Sequence, residues 1–203
     1  MVQDNMQRIL IAMTGASGSL YGIRLIETLI EASKLDIHLT ISGSGLRVMI
    51  EELGVHPELS PFDPHSFLNI PKEQSSRIHY HPAQDPGAGP ASGTFLHRGM
   101  VVCPCSMKTL GEISNGIAGN LITRSADVTI KEQRKLVLVP RETPFSAIHL
   151  ENMLRLSRSG AVILPANPGF YHKPESIDDL IKFIVQKILD LFGIEITNPV
   201  RWG

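Results

Sequence analysis

Arg8-Ile-Leu-Ile-Ala-Met-Thr-Gly-Ala-Ser-Gly-Ser19 is the stretch that decides the architecture of this chain. Ile9 to Met13 is a continuous apolar run, too short for a buried helix and lacking the alternation of a half-exposed strand. It reads as a strand covered on both faces, the kind found inside parallel sheets. A glycine-rich turn follows it. Beyond the turn, Leu20, Ile23, Leu25, Ile26, Leu29 and Ile30 recur at helical spacing as far as Ala32.

The same alternation continues along the chain. Asp36–Ile41 reads as a second strand, with a helix from about Leu46 to Leu53. Further strands are expected at Met100–Cys103, Lys135–Val139 and Ala161–Leu164. Helices are expected at about Ser106–Ser114, Leu121–Gln133, Ser146–Ser157 and Ser176–Phe192. Strand and helix alternating over short connections imply an α/β fold, a doubly wound parallel sheet of about five or six strands with helices on both sides. Gly54 to Phe95 breaks the pattern, being rich in proline and glycine with one expected strand at Arg77–Tyr80. At about 40 residues it exceeds an ordinary connection, and such long segments are usually functional or disordered.

The 203 residues suit one domain over 1–203, with a tail from about residue 193. Net charge is -1, so no global attraction to nucleic acid or anionic lipid is expected, and phosphate affinity must come from locally placed basic residues. No apolar stretch approaches the ~20 residues of a membrane helix, and the polar opening Met1–Arg8 does not read as a secretory signal. A soluble, cytoplasmic protein is the expectation. The two cysteines, Cys103 and Cys105, make neither a disulfide framework nor a zinc site and read as small buried side chains.

In doubly wound sheets, ligands gather at the carboxyl ends of the strands near the switch in strand order. Thr14-Gly-Ala-Ser-Gly-Ser19 there opens a helix whose N-terminal amides and dipole suit an anion. It is not G-x-G-x-x-G, a Walker A loop or a nucleophile elbow, and a tight turn without a ligand explains it equally well. The second strand runs into Ser42-Gly-Ser44, where a dinucleotide enzyme carries an acid for the ribose hydroxyls; hydroxyls there fit a mononucleotide such as FMN. Pro104-Cys-Ser-Met-Lys-Thr109 places two hydroxyls and a lysine in a helix's first turn, although an ordinary N-cap by Ser106 accounts for that too. Arg141 and Glu142 fall at a strand end between Pro140 and Pro144, the rigid setting a catalytic group requires. The loop Pro165–Pro174 presents Tyr171, His172 and Lys173 at the same end, with His172 expected to face solvent. His79-x-His81 is a conceivable chelate that lacks a third ligand nearby.

Met13-Thr-Gly-Ala-Ser-Gly18, Val102-Cys-Pro-Cys-Ser106, Leu138-Val-Pro-Arg-Glu-Thr-Pro-Phe145, His149-Leu-Glu-Asn-Met-Leu154 and Ala161-Val-Ile-Leu-Pro165 with Pro168-Gly-Phe-Tyr-His172 together resemble the UbiX-type flavin prenyltransferases. The resemblance runs from Arg8 to Trp202, and only Gly54 to Pro90 matches loosely. It implies a Rossmann-like or flavodoxin-like sheet and the transfer of a dimethylallyl group from dimethylallyl monophosphate to N5 and C6 of reduced FMN. The product would serve decarboxylases of the UbiD type, and the protein would be a dodecamer with sites at subunit junctions.

Carried over by motif, Gly15, Ala16, Ser17, Ser42, Ser106, Met107, Lys108, Thr109 and Arg141 would hold FMN. Ser92, Arg124, Lys131, Glu142, Tyr171, Lys187 and Trp202 would surround the prenyl phosphate, with Ser17, Lys131 and Glu142 catalytic. The chain carries no D-D-x-x-D motif, so its cations rather than a metal are expected to stabilise the leaving phosphate. Two departures stand out. Between Tyr80 and Phe95 there is no Phe, Tyr or Trp, with Pro86 near where relatives commonly carry a tryptophan. Position 187 is lysine where some relatives have arginine, which removes a bidentate fork. Three alternatives fit less well: an FMN-dependent decarboxylase of the peptidyl-cysteine type, whose catalytic histidine and Pro-x-Met-Asn signature are not evident; an aromatic-acid decarboxylase, for which no specific feature is present; and a flavin carrier, which leaves Lys131, Glu142 and Tyr171 without a role.

Overall fold

The computed structural model describes residues 7–196. Strand β1 (Arg8–Met13) lies between β2 (Asp36–Ile41) and β6 (Gly99–Cys105), parallel to both. With β5 (Ile78–Tyr80), β7 (Lys135–Pro140) and β8 (Val162–Ile163), the sheet order is β5-β2-β1-β6-β7-β8, and every pairing is parallel. The expected doubly wound parallel sheet is therefore present. The order reverses between β1 and β6, which is its switch point.

Helices cover both faces, which is why β1 needs apolar residues in both registers. Ile9, Ile11 and Met13 pack with α1 (Ser19–Ala32), α2 (Gly43–Leu53) and α6 (Ile177–Leu191) through Leu25, Leu29, Met49, Ile184 and Ile188. Leu10 and Ala12 face α3 (Met107–Ser114), α4 (Leu121–Lys131) and α5 (Ala147–Arg158) through Leu110, Ile122, Ala126 and Leu156. A fully buried aliphatic side chain of this kind contributes about 2 kcal/mol. Helix starts follow local chemistry: Ser42, Ser106, Asn120, Ser146 and Ser176 each accept a hydrogen bond from a first-turn amide.

The segment 54–95 is more ordered than its composition implies. It holds an antiparallel ribbon, β3 (Glu58–Leu59) with β4 (Phe62–Asp63), and then edge strand β5. Phe67, Leu68 and Ile70 enter the core beside α1. Arg77 closes the C-terminal end of α1, donating to the carbonyls of Ile30, Ser33 and Leu35 at 2.8–2.9 Å. The order comes from long-range burial, which local periodicity does not record.

At the switch point the buried Thr14 joins the ends of β1 and β6. Its hydroxyl donates to the Pro104 carbonyl at 2.9 Å and accepts from the Ser106 amide at 2.8 Å, while its own amide donates to Pro104 at 3.1 Å.

Over the β2–β5 edge lies a histidine stack. His38 Nδ1 and His81 Nε2 are 2.8 Å apart, the His79 ring stacks on His38 at 4.8 Å, and Phe95 meets His38 edge-on at 4.8 Å beneath the Arg8 guanidinium. The tertiary fold thus supplies a third ring to His79-x-His81, but the rings stack instead of converging. Among the described residues no group of three or more His, Cys, Asp or Glu could hold a metal ion. Burial first, then the neighbouring His79, His81, Arg8 and His97, lowers the His38 pKa to about 3. Burial lowers that of His97 to about 4, aided by Arg134 and opposed by a hydrogen bond at Gly99.

Two outcomes follow. Depressed histidine pKa values mean that the unfolded chain binds more protons below pH 6.5, so their contribution is complete above that pH and is lost toward pH 3–4. Urea midpoints should fall between about pH 7.5 and about pH 5, with His38 and His97 each accounting for about 2 kcal/mol, and the His38 share should vanish in His38→Leu. Thr14→Val leaves the buried Pro104 carbonyl and Ser106 amide short of a partner, and thermal unfolding should show about 1–3 kcal/mol of lost stability.

Candidate functional site

The turn after β1 is shaped by two glycines. A Cβ at Gly15 would lie 2.5 Å from the Ser44 Cβ, so only glycine lets this turn close against the start of α2. Gly18 has φ 101° and caps α1 without offering a side chain. Between them Ala16 is buried and Ser17 half-buried.

Three helix N-termini meet here. The Ser42 amide donates to the Met13 carbonyl at 2.9 Å, which ties the start of α2 to the end of β1, and the Ser42 hydroxyl accepts from Gly45 at 3.0 Å. Ser106 is held to Thr14, and its hydroxyl accepts from the Thr109 amide at 3.3 Å and donates to the Thr109 hydroxyl at 3.1 Å. Met107 is half-buried beside it, while Lys108 is exposed, 3.8 Å from Glu112. Arg141, just past β7, donates from Nε to the Ser17 carbonyl at 3.4 Å. The residues expected to hold FMN thus surround one place, the carboxyl-end switch point. Hydroxyls, helix N-termini and one guanidinium suit a mononucleotide phosphate and ribityl chain. Ser42 stands where a dinucleotide fold would place its ribose-binding acid.

Sequence reading missed Glu52. Its carboxylate, arriving from the last turn of α2, accepts from the Gly18 amide at 2.9 and 3.1 Å and from the Ser19 amide at 2.9 Å. It fills the N-terminus of α1, so the anion expected at that turn is the protein's own side chain. Burial would raise its pKa, but hydrogen bonds from the Ser17 hydroxyl and the Ser19 and Gly18 amides outweigh burial and hold it below the ordinary value. The sequence offered one signal only: α1 has neither a capping side chain nor an acid in its first turn.

Residues expected around the prenyl phosphate separate into two groups. Glu142 is exposed at the carboxyl end of β7, accepting from the Thr143 amide at 3.0 Å. Tyr171 and Lys187 both contact Phe183 in the α6 layer: Tyr171 meets that ring edge-on at 5.7 Å, and Lys187 Nζ sits 5.7 Å from its centroid.

Ser92, Arg124 and Lys131 lie in the α4 layer, across the sheet from α6. Arg124 Nε donates to the Ala91 carbonyl at 3.3 Å, its guanidinium pairs with Asp127 at 3.1 Å, and Lys131 pairs with Glu132. Ser92 shares a 2.8 Å hydrogen bond with Thr94. Lys131 precedes β7 and Glu142 follows it, and a six-residue strand spans about 20 Å. One chain therefore does not bring Lys131 to Glu142. Trp202 lies outside the described residues.

Two further expectations are revised or refined. His172 does not face solvent: both ring nitrogens are buried without a hydrogen-bond partner among the described residues, and the ring stacks on Phe183. Cys103 and Cys105 are fully buried; burial raises the Cys105 pKa to about 12 and that of Cys103 further, so neither is a ready thiolate nucleophile.

Comparison with known proteins agrees with this geometry. A family model described as Flavoprotein matches residues 2–189. The flavin prenyltransferase UbiX of Pseudomonas aeruginosa is 48% identical over 97% of this chain and 94% of its own length. A solved structure of AnUbiX (PadA1) in complex with FMN and dimethylallyl pyrophosphate superposes with TM-score 0.84 at 40% identity, covering 98% of each chain. A dodecameric FMN-dependent UbiX-like decarboxylase from Escherichia coli O157:H7 superposes with TM-score 0.85 at 40% identity, over 97% of this chain and 99% of that one. Matches of this strength along nearly the whole chain make it a member of the UbiX family of flavin prenyltransferases.

Proposed function

We propose that this chain alkylates reduced FMN with the dimethylallyl group of dimethylallyl monophosphate, forming bonds at flavin N5 and C6. The observation that carries the reading is the junction at Ser17. There the flavin-side turn, the Arg141 guanidinium and the Glu52 carboxylate meet, one residue from Glu142.

The flavin would lie against Ala16 and Met107, with its ribityl and phosphate groups toward Ser42, Ser106, Thr109 and Arg141. In the transfer, the allylic C–O bond would break as the N5–C bond forms, phosphate leaving with the electron pair and N5 giving up its proton. A second bond to C6 would close the new ring as the prenyl C=C bond takes up a proton at its other carbon and C6 gives one up, so no oxidant is required.

Departing phosphate gathers negative charge, and preorganised cations in a dry site stabilise it by about 3 kcal/mol each. Arg124, Lys131 and Lys187 are the cations assigned to that task, with Ser92, Tyr171 and Trp202 completing the phosphate's surroundings. Glu142 would deliver a proton to the phosphate and receive one at ring closure. Ser17, whose hydroxyl bonds to Glu52, has a fixed carboxylate behind it to pass a proton near the flavin.

Because Ser92, Arg124 and Lys131 face outward from another layer, we assign them to the site of a neighbouring copy. A homo-oligomer, as the dodecameric relative suggests, would then be required for turnover. The prenylated flavin would be passed to a decarboxylase of the UbiD type in the cytoplasm. No helix among the described residues is long and apolar enough to cross a membrane. Cations without an aspartate-rich motif favour the monophosphate donor. The diphosphate remains the second reading, because a relative's structure contains dimethylallyl pyrophosphate.

Anaerobic incubation with reduced FMN and each donor, followed by mass spectrometry of the bound flavin, tests this. One added prenyl unit is expected with the monophosphate, and the rate should fall about 100-fold in Glu142→Gln. Unmodified FMN with both donors would overturn the assignment.

A further inference from the structure

Tyr171 and Lys187, the donor-side residues of this layer, are both exposed, Tyr171 by 52%, and Lys187 ends a flexible four-carbon stem. What they share is the ring of Phe183, which is 8% exposed and belongs to the core packed against β1 and α1.

That ring is contacted on several sides. His172 lies parallel to it, 2° off at 5.3 Å between centroids; Tyr171 meets it edge-on, 81° off at 5.7 Å; Lys187, one turn along α6, holds its ammonium 5.7 Å from the centroid. Tyr171 also meets the His172 ring edge-on at 5.8 Å, so the three rings form one unit. The loop that carries Tyr171 is tied to the sheet at its start by the Ala166 amide, 3.1 Å from the Pro140 carbonyl. Its far end is closed by a backbone turn, the Lys173 amide lying 3.0 Å from the Phe170 carbonyl. His172 contributes there through its ring face, since both its nitrogens are buried without a hydrogen-bond partner among the described residues.

We propose that Phe183, with His172 stacked on it, is a positioning residue for donor binding, fixing Tyr171 and Lys187 by aromatic and cation–π contact. This rests on the reading of Tyr171 and Lys187 as prenyl-phosphate residues. It also gives the lysine at position 187 a physical compensation: the ring face orients an ammonium that lacks the planar fork of a guanidinium.

Calorimetric titration of dimethylallyl monophosphate into the FMN-loaded protein tests it, with flavin affinity and thermal midpoint measured alongside. Phe183→Leu removes the π-face and keeps the apolar side chain. It should weaken the prenyl phosphate about tenfold while flavin affinity stays within about twofold. His172→Phe should keep the parent's donor affinity, because it keeps the stacked face, whereas His172→Ala should lose it.

Unchanged donor affinity in Phe183→Leu overturns the proposal. So does a parallel loss of donor affinity, flavin affinity and thermal midpoint, the mark of a merely structural role. If Phe183→Leu does not fold, the two His172 variants decide: equal loss in both overturns it, and loss in His172→Ala alone supports it. A parent that binds the donor yet makes no prenylated flavin refutes the proposed transferase and leaves this inference standing. A parent that does not bind the donor refutes both.

Discussion

The hydroxyl of Thr14 is the constraint on which the site depends. Buried between β1 and β6, it satisfies a carbonyl and an amide from a neighbouring strand end, and so holds two βα turns at one fixed spacing. Water could not replace it there without a cavity to occupy, and an apolar side chain would leave the Ser106 amide without its acceptor and the Pro104 carbonyl with the Thr14 amide alone. Everything on the flavin side is referred to that joint. Ser106 starts α3 from it, and Gly15 and Ser17 follow it in the chain. Ser42 is fixed to the preceding residue, Met13.

The two halves of the site are built by different means. The flavin half consists of backbone turns and helix N-termini anchored in the most buried part of the sheet. Its precision comes from strand pairing, and its side chains are small. The proposed donor half consists of long side chains on helix surfaces and on one loop, and the cations assigned to it divide between opposite layers of the sheet. Long cationic side chains lose rotamer freedom when they bind, so they need support from something already ordered. Phe183 offers that support in the α6 layer. In the α4 layer, the carbonyls of Ala91, Gly93 and Phe95 anchor Arg124 and Arg134.

Glu52 and the histidine stack show where local pattern stops informing. Helix α1 begins at a glycine with no capping oxygen of its own, a deficiency visible in the sequence, yet its remedy comes from α2, 34 and 33 residues away. His79 and His81 read as an isolated pair because His38 lies on β2, and only the pairing of β2 with β5 brings His38 opposite His79. The segment 54–95 looked irregular for the same reason. Its order rests on Phe67, Leu68, Ile70 and Arg77 meeting α1, contacts that have no local period.

By itself, the sequence determined the alternation of strand and helix and the positions of the sheet strands and covering helices to within a few residues, but not the β3–β4 ribbon. Apolar periodicity and capping chemistry act over a few neighbouring residues, and parallel strands buried on both faces leave an unmistakable apolar run. It also carried motifs long enough to indicate a flavin prenyltransferase. Tertiary structure alone decided which anion fills the first helix end, which rings stack, and which predicted donor residues share a layer. Those outcomes depend on strand order and on the roughly 20 Å that a six-residue strand puts between its ends, distances that no spacing along the chain encodes.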